Sequence, residues 1–145
     1  MTEAHLEAVV GLCRELGYEA EAAGVASRFE AFADDAGSGL FVAEDADGTV
    51  QGFVHIFHRP MLEAPPPAQV QALVVGAAHR RKGVGLRLME AAESWAKEKG
   101  LSQVVLYSLD ERVDTHAFYT RAGYKPLPEV HKYAKSPGGL RAKEK

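Results

Sequence analysis

The chain has 145 residues, about the length of one ordinary domain, and its 46% hydrophobic and 26% charged residues are typical of a globular protein. The formal net charge of −3 argues against general nucleic-acid binding, and no apolar run approaches the roughly 18 residues of a membrane span. Cys13 is the only cysteine, so no internal disulfide can form, and the N-terminus lacks the basic and apolar regions of a secretory signal. We therefore expect a cytoplasmic protein with neither a membrane nor a nucleic-acid partner.

The first half of the chain is predicted to form two helices followed by a β-hairpin. Apolar residues at helical spacing place the helices at about 6–16 and 25–33. Strand-like runs at 40–44 and 49–58 flank an Asp47-Gly48 turn, which is a common hairpin signal. A proline-rich loop follows this hairpin, because prolines remove backbone donors and fix φ.

The second half alternates between strands and helices. The run 70–75 is apolar on both faces, as in a covered sheet, and a helix then extends to about Lys99. Another two-sided apolar strand is predicted at 102–109, and a short helix at 114–123. The segment 131–135 is predicted to close the sheet.

This order of elements predicts an α/β fold with a mixed, mostly antiparallel central sheet flanked by helices. The chain shows neither internal repeats nor a domain linker. We expect a single domain over residues 1–135 and a flexible tail over 136–145.

The segment HRRKGVGLRLM, residues 79–89, joins a buried strand to a helix that has no Ser, Thr, Asp or Asn in front of it to cap it. The exposed amides at a helix N-terminus carry roughly half a positive charge and can be satisfied by an anion. Gly83 and Gly85 lack a Cβ and allow a phosphate to approach the backbone, while residues 80–82 add three positive charges. The missing cap therefore indicates a bound phosphate.

Several kinds of phosphate loop compete for this segment. It does not supply the P-loop pattern G-x-x-x-x-G-K-[ST], and Leu88 stands where the Rossmann fingerprint needs its third glycine. The pattern Arg80-x-x-Gly83-x-Gly85 is the third option. A solvated basic turn with two glycines at a helix start is the plain structural interpretation.

The third pattern resembles the [QR]-x-x-G-x-[GA] cofactor loop of the GCN5-related N-acetyltransferase (GNAT) superfamily. About thirty residues later, THAFYTRAGYKP (115–126) resembles that family's second motif, A-x-x-F-Y-x-x-x-G-[FY], with Thr115 in place of the leading alanine. Two motifs in this order, with a matching order of elements, make the resemblance cover nearly the whole domain.

The resemblance implies a GNAT-like fold in which a splayed pair of parallel strands holds acetyl-CoA. It implies an acetyl-CoA-dependent N-acetyltransferase that moves an acetyl group to a primary amine, in a small molecule or a peptide, by direct attack. The alternative is an acyl-CoA-binding sensor without turnover on the same fold, and a more distant one is a binder of nucleotide phosphates. Dimers are common in the family, so a homodimer is a further expectation, with the apolar segment 124–130 as one candidate interface.

The resemblance also assigns residue roles. Tyr119 would be the general acid that protonates the departing CoA thiolate. Backbone amides of the strand would bind the thioester and pantetheine, and the loop would bind the diphosphate. The implied cofactor-binding residues are Leu73, Val74, Val75, Arg80, Arg81, Lys82, Gly83, Val84, Gly85, Leu86 and Arg112, the last of which stands where the family often has an asparagine.

The general base is left open by the sequence. Many family members keep a glutamate on the strand before the glycine loop, whereas this chain has Gln69 and Gln71 there. We assign Gln71 to the catalytic site, since a glutamine can hold a water that relays the proton. His55 and His58 on the neighbouring strand, and Glu63 in the proline loop, are the alternatives.

Neither a metal nor a particular acceptor is indicated. The six histidines are scattered, and His55 and His58 on one strand would point to opposite faces, which is poor metal geometry. The acidic residues of segment 14–35 suit a cationic acceptor, but they equally suit ordinary solvated helix faces.

Overall fold

The computed structural model describes residues 1–108, 113–127 and 132–138. The chain separates into two compact units, Met1–Leu109 and Asp110–Lys145. In chain order, the elements are α1 (Leu6–Glu15), α2 (Ala22–Ala33), β1 (Ser38–Glu44), β2 (Val50–His58), β3 (Ala68–Val75), α3 (Val84–Glu98), β4 (Val104–Leu106) and α4 (Val113–Arg121). Short 3-10 turns occupy Glu3–His5 and Ala77–His79. All four predicted helices are found, and strands lie at the four internal positions predicted for them.

The first unit is built on a four-stranded mixed sheet with the order β1-β2-β3-β4. The pairs β1–β2 and β2–β3 are antiparallel, while β3 and β4 are parallel. The β1–β2 hairpin turns at Gly48, which has a φ of 82°, and the Asp45 carboxylate accepts hydrogen bonds from the amides of Asp47 and Thr49. The predicted α/β fold and hairpin are therefore confirmed.

One face of the sheet packs against α3. Val54 and Ile56 of β2 and Met89 of α3 are completely buried. Gly39 of β1 lies beneath Trp95, so closely that a Cβ would be 2.9 Å from the indole nitrogen. Since alternate residues of a strand point to opposite faces, the residues of β2 in phase with Val54 and Ile56 face α3.

The other face packs against α1 and α2. Phe53 of β2 and Val74 of β3 form a buried cluster with Val9 and Leu12 of α1. Val9 and Cys13 belong to the apolar stripe predicted for this helix, at positions 6, 9, 10, 13 and 16, and they pack here together with Leu12, which that stripe does not include. We call this side of the sheet the α1/α2 face.

Two predicted strands differ from the structure. Among its described residues, the strand expected at 102–109 pairs over Val104–Leu106, and residues 102–103 and 107–108 beside it are exposed and polar or aromatic. Leu109 lies outside the described residues. The strand expected at 131–135 is wrong for residues 132–135, which have no regular structure, while His131 lies outside the described residues. Tyr133 is 90% exposed, so this segment buries no apolar face that would favour a strand.

The second unit contains α4 in its described part. Its last turn is closed by Gly123, which has a φ of 95° and whose amide bonds the carbonyl of Thr120, while the Tyr124 amide bonds the carbonyl of Tyr119. A left-handed glycine is a common ending of an α-helix. The expected domain of 1–135 and tail of 136–145 stay predictions.

Candidate functional site

The parallel strands β3 and β4 part after three paired residues. Ala68–Val70 pair with Val104–Leu106, after which β3 continues to Val75 while Tyr107 and Ser108 are no longer strand. Within the part of the chain that the structure describes, no strand pairs with residues 71–75 on the side away from β2. About half of the backbone N–H and C=O groups of such a segment point to this unpaired side. The gap has the form of the splayed strand pair expected from the sequence.

A β-bulge lies where the two strands part. His55 pairs with Ala72 and Ile56 pairs with Val70, which leaves Gln71 without a partner in β2. A bulge inserts one extra residue and re-aims its side chain, and bulges are frequent beside active sites. Gln71 is exposed at this position. Residue type alone contained no signal for the bulge.

The glycine loop follows the far end of β3. The Gly76 amide bonds the carbonyl of Gln51, and one 3-10 turn then leads to a left-handed Arg81 with a φ of 63°. Gly83 is the residue before α3 and is also left-handed, with φ 79° and ψ 6°. The need for glycine at 83 is therefore conformational, in addition to the room that it leaves for a phosphate near the backbone.

Helix α3 begins without a side-chain cap among the described residues. The first bond of the helix runs from the Arg87 amide to the carbonyl of Gly83, so the amides of Val84, Gly85 and Leu86 precede it. Val84 is 1% exposed and anchors the start of the helix in the core. The predicted uncapped turn is confirmed, and it presents consecutive amides that an anion could accept from.

Positive charge surrounds this turn. The side chains of Arg80, Arg81 and Lys82 are exposed. Arg87 lies one turn into the helix, and its Nη1 is 3.5 Å from the carbonyl of Lys82. A hydrogen bond connects the loop to α1 at Ala77, which precedes these residues in the chain. The carboxylate of Glu15 accepts this bond from the Ala77 amide at 2.9 Å. Exposed positive charges beside the uncapped amides at the helix start suit a polyanionic ligand.

The proposed acid, Tyr119, lies on α4 in the second unit. It is half-buried, with ring centroids 5.1 Å from Phe118 and 6.0 Å from Tyr124. Phe118 is half-buried as well, in keeping with a packing role. The role of Tyr119 stays a prediction. Arg112, the remaining cofactor-binding prediction, lies outside the described residues.

The candidate bases differ in their surroundings. His55 stands on the α1/α2 face with its ring 4.7 Å from that of Phe32, and its Nε2 is buried with no hydrogen-bond partner in the structure. Burial lowers the pKa of His55, with a weaker opposing effect of Asp35. The structure thus keeps this imidazole neutral near pH 7.

The other candidates are arranged differently. His58 is one of the residues in phase with Ile56, so it belongs to the face that α3 covers. Gln69 pairs with Phe57, on the α1/α2 face, and is half-buried. Glu63 is exposed in the proline loop. His55 and His58 therefore do lie on opposite faces, as the sequence predicted.

The described residues contain neither a metal-binding cluster nor a membrane-spanning helix. No group of three or more His, Cys, Asp or Glu side chains is placed to hold a metal ion in this part of the chain. Among the same residues, no helix has the length and apolar character needed to cross a bilayer.

Comparison with known proteins agrees with this architecture. The acetyltransferase (GNAT) family model matches residues 6–124. The streptothricin acetyltransferase of Streptomyces lavendulae is 30% identical over 91 residues, which are 63% of this chain and 47% of that protein. Matches to the curated relatives span only 24% to 47% of their lengths.

Two solved structures share the fold. An aminoglycoside 6'-N-acetyltransferase from Acinetobacter haemolyticus superposes with a TM-score of 0.79 at 21% identity, covering 95% of this chain and 97% of that one. An aminoglycoside N-acetyltransferase in complex with CoA gives a TM-score of 0.78 at 21% identity, covering 94% of this chain and 96% of that one. Together with the match to the family model, which extends over most of its length, these findings show that the chain belongs to the acetyltransferase (GNAT) family.

Proposed function

We propose that the protein is an N-acetyltransferase that moves an acetyl group from acetyl-CoA to a primary amine by direct attack. The observation that carries the proposal is the gap beside residues 71–75 of β3, which is followed along the chain by the uncapped start of α3. The diphosphate would bind the amides of Arg81 to Leu86, with Arg80, Arg81 and Lys82 as supporting charges. The pantetheine arm would then run along Leu73–Val75 as an added strand.

This placement sets the position of the reacting atoms. The arm begins at the loop, beyond the end of β3, so its thioester would lie towards the bulge at Gln71. A backbone N–H near Leu73 would hold the thioester oxygen as negative charge develops on it. The amine nitrogen would attack the thioester carbon, and Tyr119 would give a proton to the departing sulfur.

The incoming amine must lose a proton before or during this attack. We propose that Gln71 holds a water that relays the proton away from the amine, because the bulge leaves this exposed residue without a partner in β2. His55 is the second candidate, since its neutral imidazole stands in the strand next to Ala72.

A thiol-release assay tests the activity. Acetyl-CoA is incubated with the protein and a broad panel of amines, and free CoA is measured with a thiol reagent. Release that requires both the protein and an amine supports the proposal. Tight CoA binding with no release on any amine would contradict it and favour the acyl-CoA sensor.

Ligand class can be tested independently by thermal unfolding. A ligand present at 100 times its Kd stabilises the folded state by roughly 2.7 kcal/mol. Acetyl-CoA is expected to raise Tm, whereas ATP and NAD at equal concentration are not. A larger shift with either nucleotide would indicate a different phosphate ligand.

Contacts made by the acidic segment 14–35 bear on the acceptor class. Two carboxylates of the acidic segment 14–35 serve the fold: Asp35 accepts bonds from the Gly37 amide and the Ser38 hydroxyl, and Glu15 accepts one from the Ala77 amide. The acidity of this segment is therefore a weaker indication of a cationic acceptor than its composition suggests. We also propose a reducing, cytoplasmic location, in keeping with the free thiol of Cys13.

A further inference from the structure

A hydrogen bond crosses β3 at the point where the strands part. Arg59 directly follows β2, and its amide bonds the carbonyl of Pro67 at 3.0 Å, so the ladder extends to this residue. Its Nη1 donates to the hydroxyl of Tyr107, the residue after β4, at 3.1 Å. Because β3 lies between β2 and β4, the arginine side chain spans the first residues of β3.

Strand periodicity places both residues on the α1/α2 face. Arg59 is two residues beyond Phe57, which pairs with Gln69 on that face. Tyr107 is two residues beyond Val105, which also pairs with Gln69. The two side chains thus meet above Gln69, on the face opposite α3.

The Arg59–Tyr107 pair adjoins the reacting end of the proposed acetyl-CoA site. Tyr107 follows the last residue of β4, at the closed end of the gap, and Gln71 lies in the bulge beside it. Tyr107 is 57% exposed and Gln71 is also exposed, while Arg59 and Gln69 are half-buried. An acceptor approaching the thioester from this face would contact these four side chains, which we call the polar patch.

The chemistry of the pair favours an oxyanion. The ion pair found among the described residues joins His5 and Glu44. No described carboxylate therefore forms an ion pair with Arg59. The Tyr107 hydroxyl accepts from the guanidinium, which leaves its own proton free to be donated outward. A carboxylate or phosphate could accept from both groups, and charge-assisted bonds of this kind are the strong ones.

We propose that Arg59 and Tyr107 bind an oxyanion on the acceptor, which is therefore a small amine that carries a carboxylate or a phosphate. This inference rests on the proposed acetyl transfer and adds the substrate class to it. The compact patch requires the oxyanion to lie only a few bonds from the amine. A polycationic acceptor would instead meet an uncompensated positive charge beside the thioester.

The test compares matched amines of similar basicity that differ in the oxyanion. β-Alanine is compared with 3-amino-1-propanol, and phosphoethanolamine with ethanolamine, so that the two pairs distinguish carboxylate from phosphate. The polycation neamine is the third arm. We expect kcat/KM to be higher for at least one oxyanion amine than for its neutral partner, and higher than for neamine.

Variants then connect this preference to the polar patch. Arg59→Ala is expected to lower the ratio of kcat/KM between the oxyanion amine and its neutral partner by about ten- to a hundredfold, the range for a lost charged hydrogen bond. Arg59→Lys should restore part of the ratio, and Tyr107→Phe should lower it less than Arg59→Ala. Lys97→Ala removes a positive charge from the exposed side of α3 and should leave the ratio unchanged.

Several outcomes would overturn the inference. One is a higher kcat/KM of the wild-type protein for the neutral amines or for neamine. Another is an equal loss of kcat/KM on both members of a pair in Arg59→Ala, because an equal loss indicates a structural role for Arg59. If no amine is turned over, the proposed activity fails, and binding is then measured by NMR titration of β-alanine and phosphoethanolamine into the CoA-loaded protein. Binding that Arg59→Ala abolishes would still support the oxyanion site, while absence of binding would overturn it.

Discussion

Replacing Gly83 by valine tests the phosphate loop, and Gly100 offers a matched control. Both glycines are left-handed, with φ of 79° and 74°, and they flank α3 at its two ends. A Cβ at Gly83 would meet only Arg87 Nη1, at an ordinary 3.6 Å, and one at Gly100 would meet nothing within 4 Å. The cost of substitution therefore comes from φ at both positions, not from lack of space.

The expected losses of stability and of acetyl-CoA affinity follow from this geometry. A side chain held in a sparsely populated backbone region costs about 1–3 kcal/mol, and a β-branched one lies towards the upper end. A domain of this size has roughly 5–15 kcal/mol of stability, so both variants should fold. Gly83→Val should relieve its strain by shifting the backbone at Val84–Leu86. Loss of two charged hydrogen bonds there, at roughly 1.5–3 kcal/mol each, weakens binding by about a hundred- to ten-thousandfold.

Two measurements separate fold from function. Urea unfolding should show similar losses of stability in Gly83→Val and Gly100→Val. Calorimetric titration with acetyl-CoA should show the loss of affinity only in Gly83→Val, and Gly83→Asn should bind more tightly than Gly83→Val because asparagine tolerates a left-handed backbone. Equal acetyl-CoA affinity in the two valine variants would refute the assignment of this loop.

Four further predictions follow from the site and its surroundings. Tyr119→Phe should lower kcat by about 10²–10⁴-fold while leaving the Kd for acetyl-CoA unchanged; an unchanged kcat would show that another group is the acid. Gln71→Ala should lower kcat/KM and alter its pH profile, and no change in either would place the base elsewhere. Because the pKa of His55 is lowered in the folded state, the unfolded state takes up a proton first as the pH falls. The contribution of neutral His55 to stability is therefore present above pH about 6.5 and is lost as the pH falls through the pKa of the folded state. His55→Gln should therefore reduce the acid dependence of urea unfolding, and an identical dependence would count against the burial. Burial also raises the pKa of the Cys13 thiol, so labelling by iodoacetamide at pH 7.5 should be much slower than for a free thiol, and equal rates would contradict this.

Most of the architecture was predictable because it depends on local patterns. The stripe of Leu6, Val9 and Val10 and the Asp47-Gly48 turn are specified within a few residues, and they were predicted correctly. Gly83 was identified for the same reason, since glycine before an uncapped helix is a local signal.

The features that were missed depend on partners distant in sequence. The bulge at Gln71 appears only from the register with β2, and the contact of Arg59 with Tyr107 joins residues 48 positions apart. The shortness of β4 likewise reflects where β3 stops pairing, not the composition of its own segment. Hydrophobic periodicity does not contain this information, because it indicates which face of an element a residue lies on and not which residue lies opposite it.

The side of β3 that pairs with no described strand also affects the tendency of the protein to self-associate. An open strand edge is a template for another strand, and soluble proteins usually protect such edges with charges, prolines or covering segments. Residues 72–75, Ala-Leu-Val-Val, contain neither a charge nor a proline, and no described strand covers this edge. A pantetheine arm bound there would occupy the edge as a surrogate strand. Bound acetyl-CoA would thus protect this edge against self-association as well as supply the acetyl group, and the ligand-free protein should aggregate more readily as its concentration rises.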